Sequence, residues 1–87
     1  MYIILVYDIE ESRVNTINKF LKRYLFWIQN SVFEGEITEG QYEILINKIK
    51  EMIDENEDSV IIYKIRSEKI ISKEIIGLEK SPTDNII

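Results

Sequence analysis

Two segments with the periodicity of amphipathic helices alternate with four segments of strand-forming residues, all within residues 1–66. The first strand is predicted at Tyr2–Ile9, an almost continuous run of β-branched, aromatic and aliphatic side chains that is typical of a central, buried strand. Ser12 is the predicted N-cap of the first helix. The apolar positions of that helix recur at helical spacing and are Val14, Ile17, Phe20, Leu21, Tyr24 and Leu25.

The middle of the chain predicts a hairpin followed by the second helix. Residues 27–37 are strand-like but interrupted, so we expect two short strands with a tight turn near Asn30, and a bulge or a close backbone approach at Gly35. Thr38 and Gln41 fit a capping box. The apolar stripe of the helix that follows is Tyr42, Leu45, Ile46, Ile49, Met52 and Ile53. After an acidic loop at 54–58, alternation predicts the last core strand at Ser59–Arg66.

The resulting order, βαββαβ, predicts an α+β fold of the ferredoxin-like type. Right-handed crossovers turn this order into a four-stranded antiparallel sheet with both helices on one face. The first strand and the strand before the second helix then lie at the centre. The other face has no cover within the chain, so a homodimer packed sheet to sheet is the simplest expectation.

Residues 67–87 follow this core, at 1–66, as a separate C-terminal segment. A short extra strand is predicted at Lys73–Leu78, and Pro82 is expected to end regular structure. Two pairings remain open for the extra strand: it extends its own sheet, or it pairs with an exposed edge of a partner subunit.

The composition limits the chemistry available to the chain. It has no cysteine and no histidine, so thiolate and imidazole metal sites are excluded. Oxygen ligands alone favour Mg²⁺ or Mn²⁺. The net charge of −5 does not favour nucleic-acid binding, although a local basic patch can still serve it. No apolar stretch has the length of a membrane span, so we expect a cytoplasmic protein without membrane contact.

Asp8 is unusually placed, because it ends a strand that is predicted to be central and buried, where an unpaired charge is costly. Asp8 either accepts hydrogen bonds from the turn or from the helix start near Ser12, or it binds a metal ion. One carboxylate is too few for Mg²⁺, but a two-fold dimer can bring two copies of Asp8 together around a cation. Such a symmetric site would activate water and steady the charge on a phosphate.

The basic patch of note comprises Arg13, Lys19, Lys22 and Arg23, of which the last three have the spacing of one helix face. Such a patch is either solvated surface or a contact for a phosphate backbone that does not read bases. Tyr7 is expected as a core aromatic on the sheet face opposite Asp8. The sequence alone favours Phe33 as packing and Ser31 as a residue that satisfies its own turn.

Three segments together resemble the second core family of CRISPR-associated proteins. They are residues 6–9 (VYDI), 29–36 (QNSVFEGE) and 58–63 (DSVIIY). The second segment is the most specific because it is similar to the family's Gln-x-Ser-Val-Phe-x-Gly pattern. The order and separation of the segments and the total length also match.

The resemblance implies a ferredoxin-like homodimer that works in spacer acquisition, in which Asp8 of both subunits binds Mg²⁺ at the dimer interface. It implies endonuclease activity on single-stranded RNA or double-stranded DNA, and assembly with the CRISPR integrase subunit as a spacer between two integrase dimers. The same resemblance places Tyr7, Ser31 and Phe33 around Asp8. It also implies that the C-terminal strand, at Ile75, Ile76 and Gly77, pairs with the partner subunit.

Two other functions remain open at this point. The acidic balance of the chain suits a non-catalytic dimeric scaffold that binds DNA and bridges the integrase, in which Asp8 is only structural. The ferredoxin-like fold also hosts regulatory modules that bind small metabolites, so the fold alone does not decide between these functions.

Overall fold

The computed structural model describes residues 1–81 and contains the predicted strands and helices in the predicted order. These are β1 (Tyr2–Asp8), α1 (Glu11–Leu21), β2 (Phe26–Gln29), β3 (Val32–Glu36), α2 (Glu39–Met52) and β4 (Ser59–Ile65), followed by a 3₁₀ turn at Glu68–Ile70. The strands form one antiparallel sheet in the order β2-β3-β1-β4. The ferredoxin-like fold and the central positions of β1 and β3 are therefore confirmed. Pro82 lies outside the described residues.

Helix α1 begins at a different cap from the one predicted. Its N-cap is Glu10, whose carboxylate accepts hydrogen bonds from the backbone N–H (2.9 Å) and the hydroxyl of Ser12. These bonds lower the pKa of the Glu10 carboxyl. The prediction of Ser12 as the cap was wrong because a carboxylate satisfies a first-turn amide equally well and adds negative charge at the positive end of the helix.

The capping box that starts α2 is confirmed. The Thr38 hydroxyl accepts a hydrogen bond from the Gln41 N–H, and the Gln41 side chain accepts one from the Thr38 N–H, each at 3.1 Å. Two backbone donors that a helix start leaves without partners are thereby satisfied reciprocally. This cap lies at the end of the sheet where Tyr2 pairs with Glu36, which is the end away from Asp8.

The core lies between the helices and one face of the sheet. Alternate β1 residues, Ile3, Leu5 and Tyr7, are buried on this face together with Phe33 of β3. They pack in one cluster with the buried residues of both helices, which are Ile17, Phe20, Leu21, Leu45 and Ile49. Both helices therefore cover the same face, as predicted.

The β2–β3 hairpin turns at Asn30, which has a φ of 46°, a left-handed value that asparagine tolerates better than most residues. The bulge lies between Trp27 and Gln29 and not at Gly35. Gly35 is instead the site of a close approach, since a Cβ there would lie 3.3 Å from Cδ2 of Leu25. Of the two expectations for Gly35, the close approach is confirmed.

The face of the sheet opposite the helices is called here the open face. It carries Tyr2, Ile4, Val6, Asp8, Phe26, Val32, Glu34, Ile61 and Tyr63, as the register of the strands requires. Phe26, Ile61 and Tyr63 are 60, 50 and 56% exposed. Strand β1 was expected to be buried on both faces, but its open face is only partly covered within one chain.

The described part of the C-terminal segment, residues 67–81, crosses the open face and forms no strand. Residues 73–78 pair with no strand in the part of the chain that the structure describes, so the extra strand at Lys73–Leu78 was wrong for the single chain. The Lys73 ammonium instead contacts the Glu34 carboxylate, and Gly77, at a φ of 95°, turns the backbone out of the extended conformation. Pairing with a partner subunit stays a prediction.

Candidate metal and nucleic-acid site

Asp8 is the last residue of β1 and lies on the open face, directly opposite Ser59 of β4. It is exposed, so the expectation of a buried carboxylate was wrong for the single chain. The reason is its position at the strand end, on the face that the helices leave uncovered. An exposed carboxylate there is free to meet a ligand or a second subunit.

Within the described residues, no hydrogen bond or ion pair involves the Asp8 carboxylate. The helix start near Ser12, which sequence reasoning offered as a partner, is satisfied by Glu10. The structure therefore does not support Asp8 as the local anchor of the β1–α1 turn. Its carboxylate oxygens remain available as ligands.

The donor set fits a magnesium site best when two subunits contribute. No group of three or more acidic side chains that could hold a metal ion occurs within residues 1–81. Mg²⁺ is commonly held by one or two carboxylates together with waters and substrate phosphates. Two copies of Asp8 match that requirement, and one copy falls at its lower limit.

Tyr7 and Phe33 do not share a face with Asp8. Their rings lie 6.3 Å apart in the helix-side core, and the Tyr7 hydroxyl donates a hydrogen bond to the side-chain oxygen of Asn18 on α1. Burial raises the pKa of Tyr7. Ser31 comes closer to the end of β1, since its carbonyl accepts a hydrogen bond from the Tyr7 N–H at 3.1 Å. Tyr7 and Phe33 thus pack on the helix-side face of the sheet, behind the strand that carries Asp8.

Arg13 is engaged in an ion-pair network and is not free for a phosphate. Its Nε and Nη2 atoms donate to the two carboxylate oxygens of Asp58, at 2.7 and 3.1 Å, and Nη2 also donates to Glu57 at 2.9 Å. The Asp58 carboxylate, fully buried, is the residue that sequence reasoning missed. No local pattern in the acidic loop at 54–58 predicts its ion pair with Arg13, because only the fold brings α1 against this loop. The Arg13 guanidinium holds the pKa of the Asp58 carboxyl well below its usual range.

The other three residues of the basic patch lie on the helix layer, away from the open face. Lys19 and Arg23 line a groove between α1 and α2 with Lys48, and no carboxylate within residues 1–81 lines this groove. Lys48 also approaches Glu51 at 3.6 Å. Lys22 is exposed outside the groove. Lys19, Lys22 and Arg23 therefore lie on the opposite side of the sheet from Asp8, whereas Arg13 is held by Asp58.

The C-terminal segment adds apolar surface next to the open face. Ile75, Ile76 and Leu78 are 48, 90 and 75% exposed. Together with Phe26 and Ile28 they line one groove. None of the described helices is long and apolar enough to cross a membrane.

Comparison with known proteins gives a consistent result. The family model described as CRISPR associated protein Cas2 matches residues 1–72. The CRISPR-associated endoribonuclease Cas2 of Methanocaldococcus jannaschii is 53% identical over all of this chain and 76% of that protein, and that of Thermococcus kodakarensis is 52% identical over the full length of both.

Two solved structures extend the similarity to three dimensions. One described as the crystal structure of cas2 has a TM-score of 0.85 and 46% identity, covering 100% of this chain and 98% of the other. Streptococcus pyogenes Cas2 at pH 6.5 has a TM-score of 0.75 and 25% identity, covering 88% of this chain and all of the other. The chain belongs to the Cas2 family of CRISPR-associated proteins.

Proposed function

We propose that this protein is a magnesium-dependent endonuclease of CRISPR spacer acquisition, which cuts single-stranded RNA or double-stranded DNA through Asp8 paired across a homodimer. The observation that carries the proposal is the placement of Asp8, an exposed carboxylate on the open face with no partner among the described residues. A cytoplasmic location suits this role. Mn²⁺ would fit the same oxygen ligands as Mg²⁺.

A homodimer packed through the open faces supplies the second carboxylate. Exposed apolar side chains, including Ile61 and Tyr63, occupy the strand next to β1 on this face, and burying them between two copies is favourable. The exposed Ile75, Ile76 and Gly77 then reach the partner, where the segment can pair with an unpaired strand edge such as that of β4. Two Asp8 side chains brought together in this way repel each other unless a cation lies between them.

The residues of the chain have defined tasks in this chemistry. The two Asp8 carboxylates would hold the divalent ion, which when bound supplies positive charge beside the scissile phosphate and promotes ionisation of an attacking water. Tyr7 and Phe33 keep the end of β1 rigid from the core side. Burial raises the pKa of Tyr7 and its hydroxyl is bonded to Asn18, so it is unsuited to act as the base.

The names of the relatives favour RNA among the two substrates. The two Cas2 proteins that are 53 and 52% identical to this chain are each called an endoribonuclease. Single-stranded RNA is therefore the first substrate to test, with double-stranded DNA beside it.

A second function, a non-catalytic scaffold that binds DNA and bridges the CRISPR integrase, is favoured by a different observation. Lys19 and Arg23, which would contact a phosphate backbone, lie on the helix layer and not beside Asp8. Arg13, the basic residue nearest Asp8 in sequence, is held by Asp58. Nucleic acid bound along the helices would not pass over Asp8, which suits a holding role.

A cleavage assay separates the two functions. The wild type and Asp8→Ala are incubated with labelled single-stranded RNA and double-stranded DNA, in Mg²⁺ or in EDTA. Glu43→Ala, which removes an exposed carboxylate from α2, is the matched control. The endonuclease predicts cutting by the wild type and by Glu43→Ala in Mg²⁺ only, and none by Asp8→Ala.

The opposite results are equally informative. Equal cutting by the wild type and by Asp8→Ala would refute the paired-aspartate mechanism. If no protein cuts, and Asp8→Ala still supports spacer integration together with the integrase, the scaffold becomes the function.

A further inference from the structure

The loop between α2 and β4 contains a buried carboxylate to which the proposed chemistry gives no task. The Asp58 side chain is 0% exposed. Its Oδ1 accepts hydrogen bonds from the Glu10 N–H at 2.8 Å and from Nη2 of Arg13 at 3.1 Å. Its Oδ2 accepts from the Asp54 N–H at 2.9 Å and from Nε of Arg13 at 2.7 Å. A buried carboxylate with both oxygens satisfied in this way is held in one orientation.

These bonds join the two backbone segments that flank Asp8. Glu10 lies two residues after Asp8, in the loop that leaves β1. Asp58 directly precedes Ser59, which is the residue opposite Asp8 in the sheet. A single side chain therefore fastens the loop that follows Asp8 to the strand beside it, and Arg13 anchors that side chain to the first turn of α1.

We infer that Asp58 is a positioning residue for Asp8, holding the end of β1 so that the two Asp8 carboxylates of a dimer meet at a fixed separation. This inference rests on the proposed function. Asp8 needs such support because it ends its strand and has no side-chain bond of its own within residues 1–81. Metal ligands must keep their distances to within about 0.2 Å, which a fraying strand end does not provide.

The test compares Asp58→Ala and Asp58→Asn with Thr38→Ala in the full-length protein. Thr38→Ala removes the capping box at the far end of the sheet, so it lowers stability without touching the end of β1. Three properties are measured for each protein: amide hydrogen exchange along the sheet, binding of Mn²⁺ followed by electron paramagnetic resonance, and the kcat and KM of Mg²⁺-dependent cleavage of single-stranded RNA.

In Asp58→Ala we expect the rate of amide exchange to rise more, relative to the wild type, at Glu10 and Ser59 than at Glu36. We also expect Mn²⁺ affinity and kcat each to fall about tenfold, with KM unchanged. Asp58→Asn keeps one oxygen as an acceptor and recovers part of each loss, and it replaces Asp58→Ala if that variant does not fold. Thr38→Ala lowers stability at the far end of the sheet and shows none of these local effects.

Two results would overturn the inference. One is exchange that rises evenly over the whole sheet in both Asp58 variants. The other is Mn²⁺ affinity and kcat that match those of Thr38→Ala. If the wild type neither binds Mn²⁺ nor cuts RNA or DNA, the proposed function fails. The exchange comparison between Ser59, whose amide is not bonded to Asp58, and Glu36 then decides by itself whether Asp58 holds the end of β1.

Discussion

At the scale of single residues, the hydrogen bonds of Asp58 make the stability of the protein depend on pH in the acidic range. In the folded state, the pKa of Asp58 is lowered mainly by the hydrogen bonds that Arg13 donates to its carboxylate. The unfolded carboxyl has a pKa of about 3.9, so the stabilisation is fully present above that pH and is lost as the pH falls towards the lower folded pKa. Asp58→Asn should therefore be less stable than the wild type at pH 7, and the gap should narrow below about pH 4.

Urea unfolding of both proteins between pH 3 and pH 7 measures this gap. Glu57→Gln is the control because Glu57 is the exposed partner of Arg13, and its removal should change stability less. A gap between Asp58→Asn and the wild type that stays constant over the whole range would contradict the assignment of the acid sensitivity to Asp58.

The sequence predicted some residues well and could not have predicted others. The face of Tyr7 followed from strand alternation, and the capping box at Thr38 followed from a local pattern. Asp58 was missed because its partners Arg13 and Glu10 lie 45 and 48 residues away in the chain, and only the packed fold brings them together. The exposure of Asp8 likewise depends on which face the helices leave uncovered.

At the scale of elements, replacing Gly35 and Gly40 with alanine should change the free energy of unfolding in opposite directions. A Cβ at Gly35 of β3 would lie 3.3 Å from Cδ2 and 3.5 Å from Cα of Leu25, which is itself buried. Gly35→Ala should therefore destabilise the protein by about 1 kcal/mol through overpacking. Gly40 lies in the first turn of α2, and no atom of the described residues would lie within 4 Å of the added carbon. Gly40→Ala should therefore stabilise by about 0.5 kcal/mol through the better helix propensity of alanine.

Thermal or urea unfolding of the two variants beside the wild type gives both signs in one experiment. Equal effects of the two substitutions would show that backbone freedom, and not the approach of Leu25, decides the outcome at Gly35.

Element order and pairing were predictable because each pattern is local. The helical stripes and the alternation in β4 gave the order, and the right-handed crossover rule gave the sheet. The segment at Lys73–Leu78 failed because its apolar, β-branched composition says that it can form a strand but not which edge is available to it. In the single chain, the contact of Lys73 with Glu34 and the turn at Gly77 lead it across the open face instead.

At the scale of the whole molecule, the two faces of the subunit have different surfaces. The helix layer carries Lys19, Arg23 and Lys48, with exposed polar side chains around them. The open face carries exposed apolar residues and Asp8. If two subunits join through the open faces, the Asp8 residues meet inside the dimer and both basic grooves point outwards, so catalysis at Asp8 and holding of nucleic acid along the helices are compatible in one assembly.

Association through the open face can be tested with a matched pair of isoleucines. Ile61 of β4 lies on the open face opposite Val6 and is 50% exposed, whereas Ile44 lies on α2 and is 56% exposed. Introducing lysine at either position costs the isolated subunit little, because each side chain is already half in water. At a buried apolar interface the same lysine leaves an unpaired charge in each subunit, so Ile61→Lys should give a monomer or a dimer weakened by at least tenfold in Kd. Ile44→Lys should associate like the wild type.

Sedimentation equilibrium of the three proteins measures their association. If Ile44→Lys dissociates the dimer and Ile61→Lys does not, the interface lies on the helices, and each Asp8 has no second copy beside it.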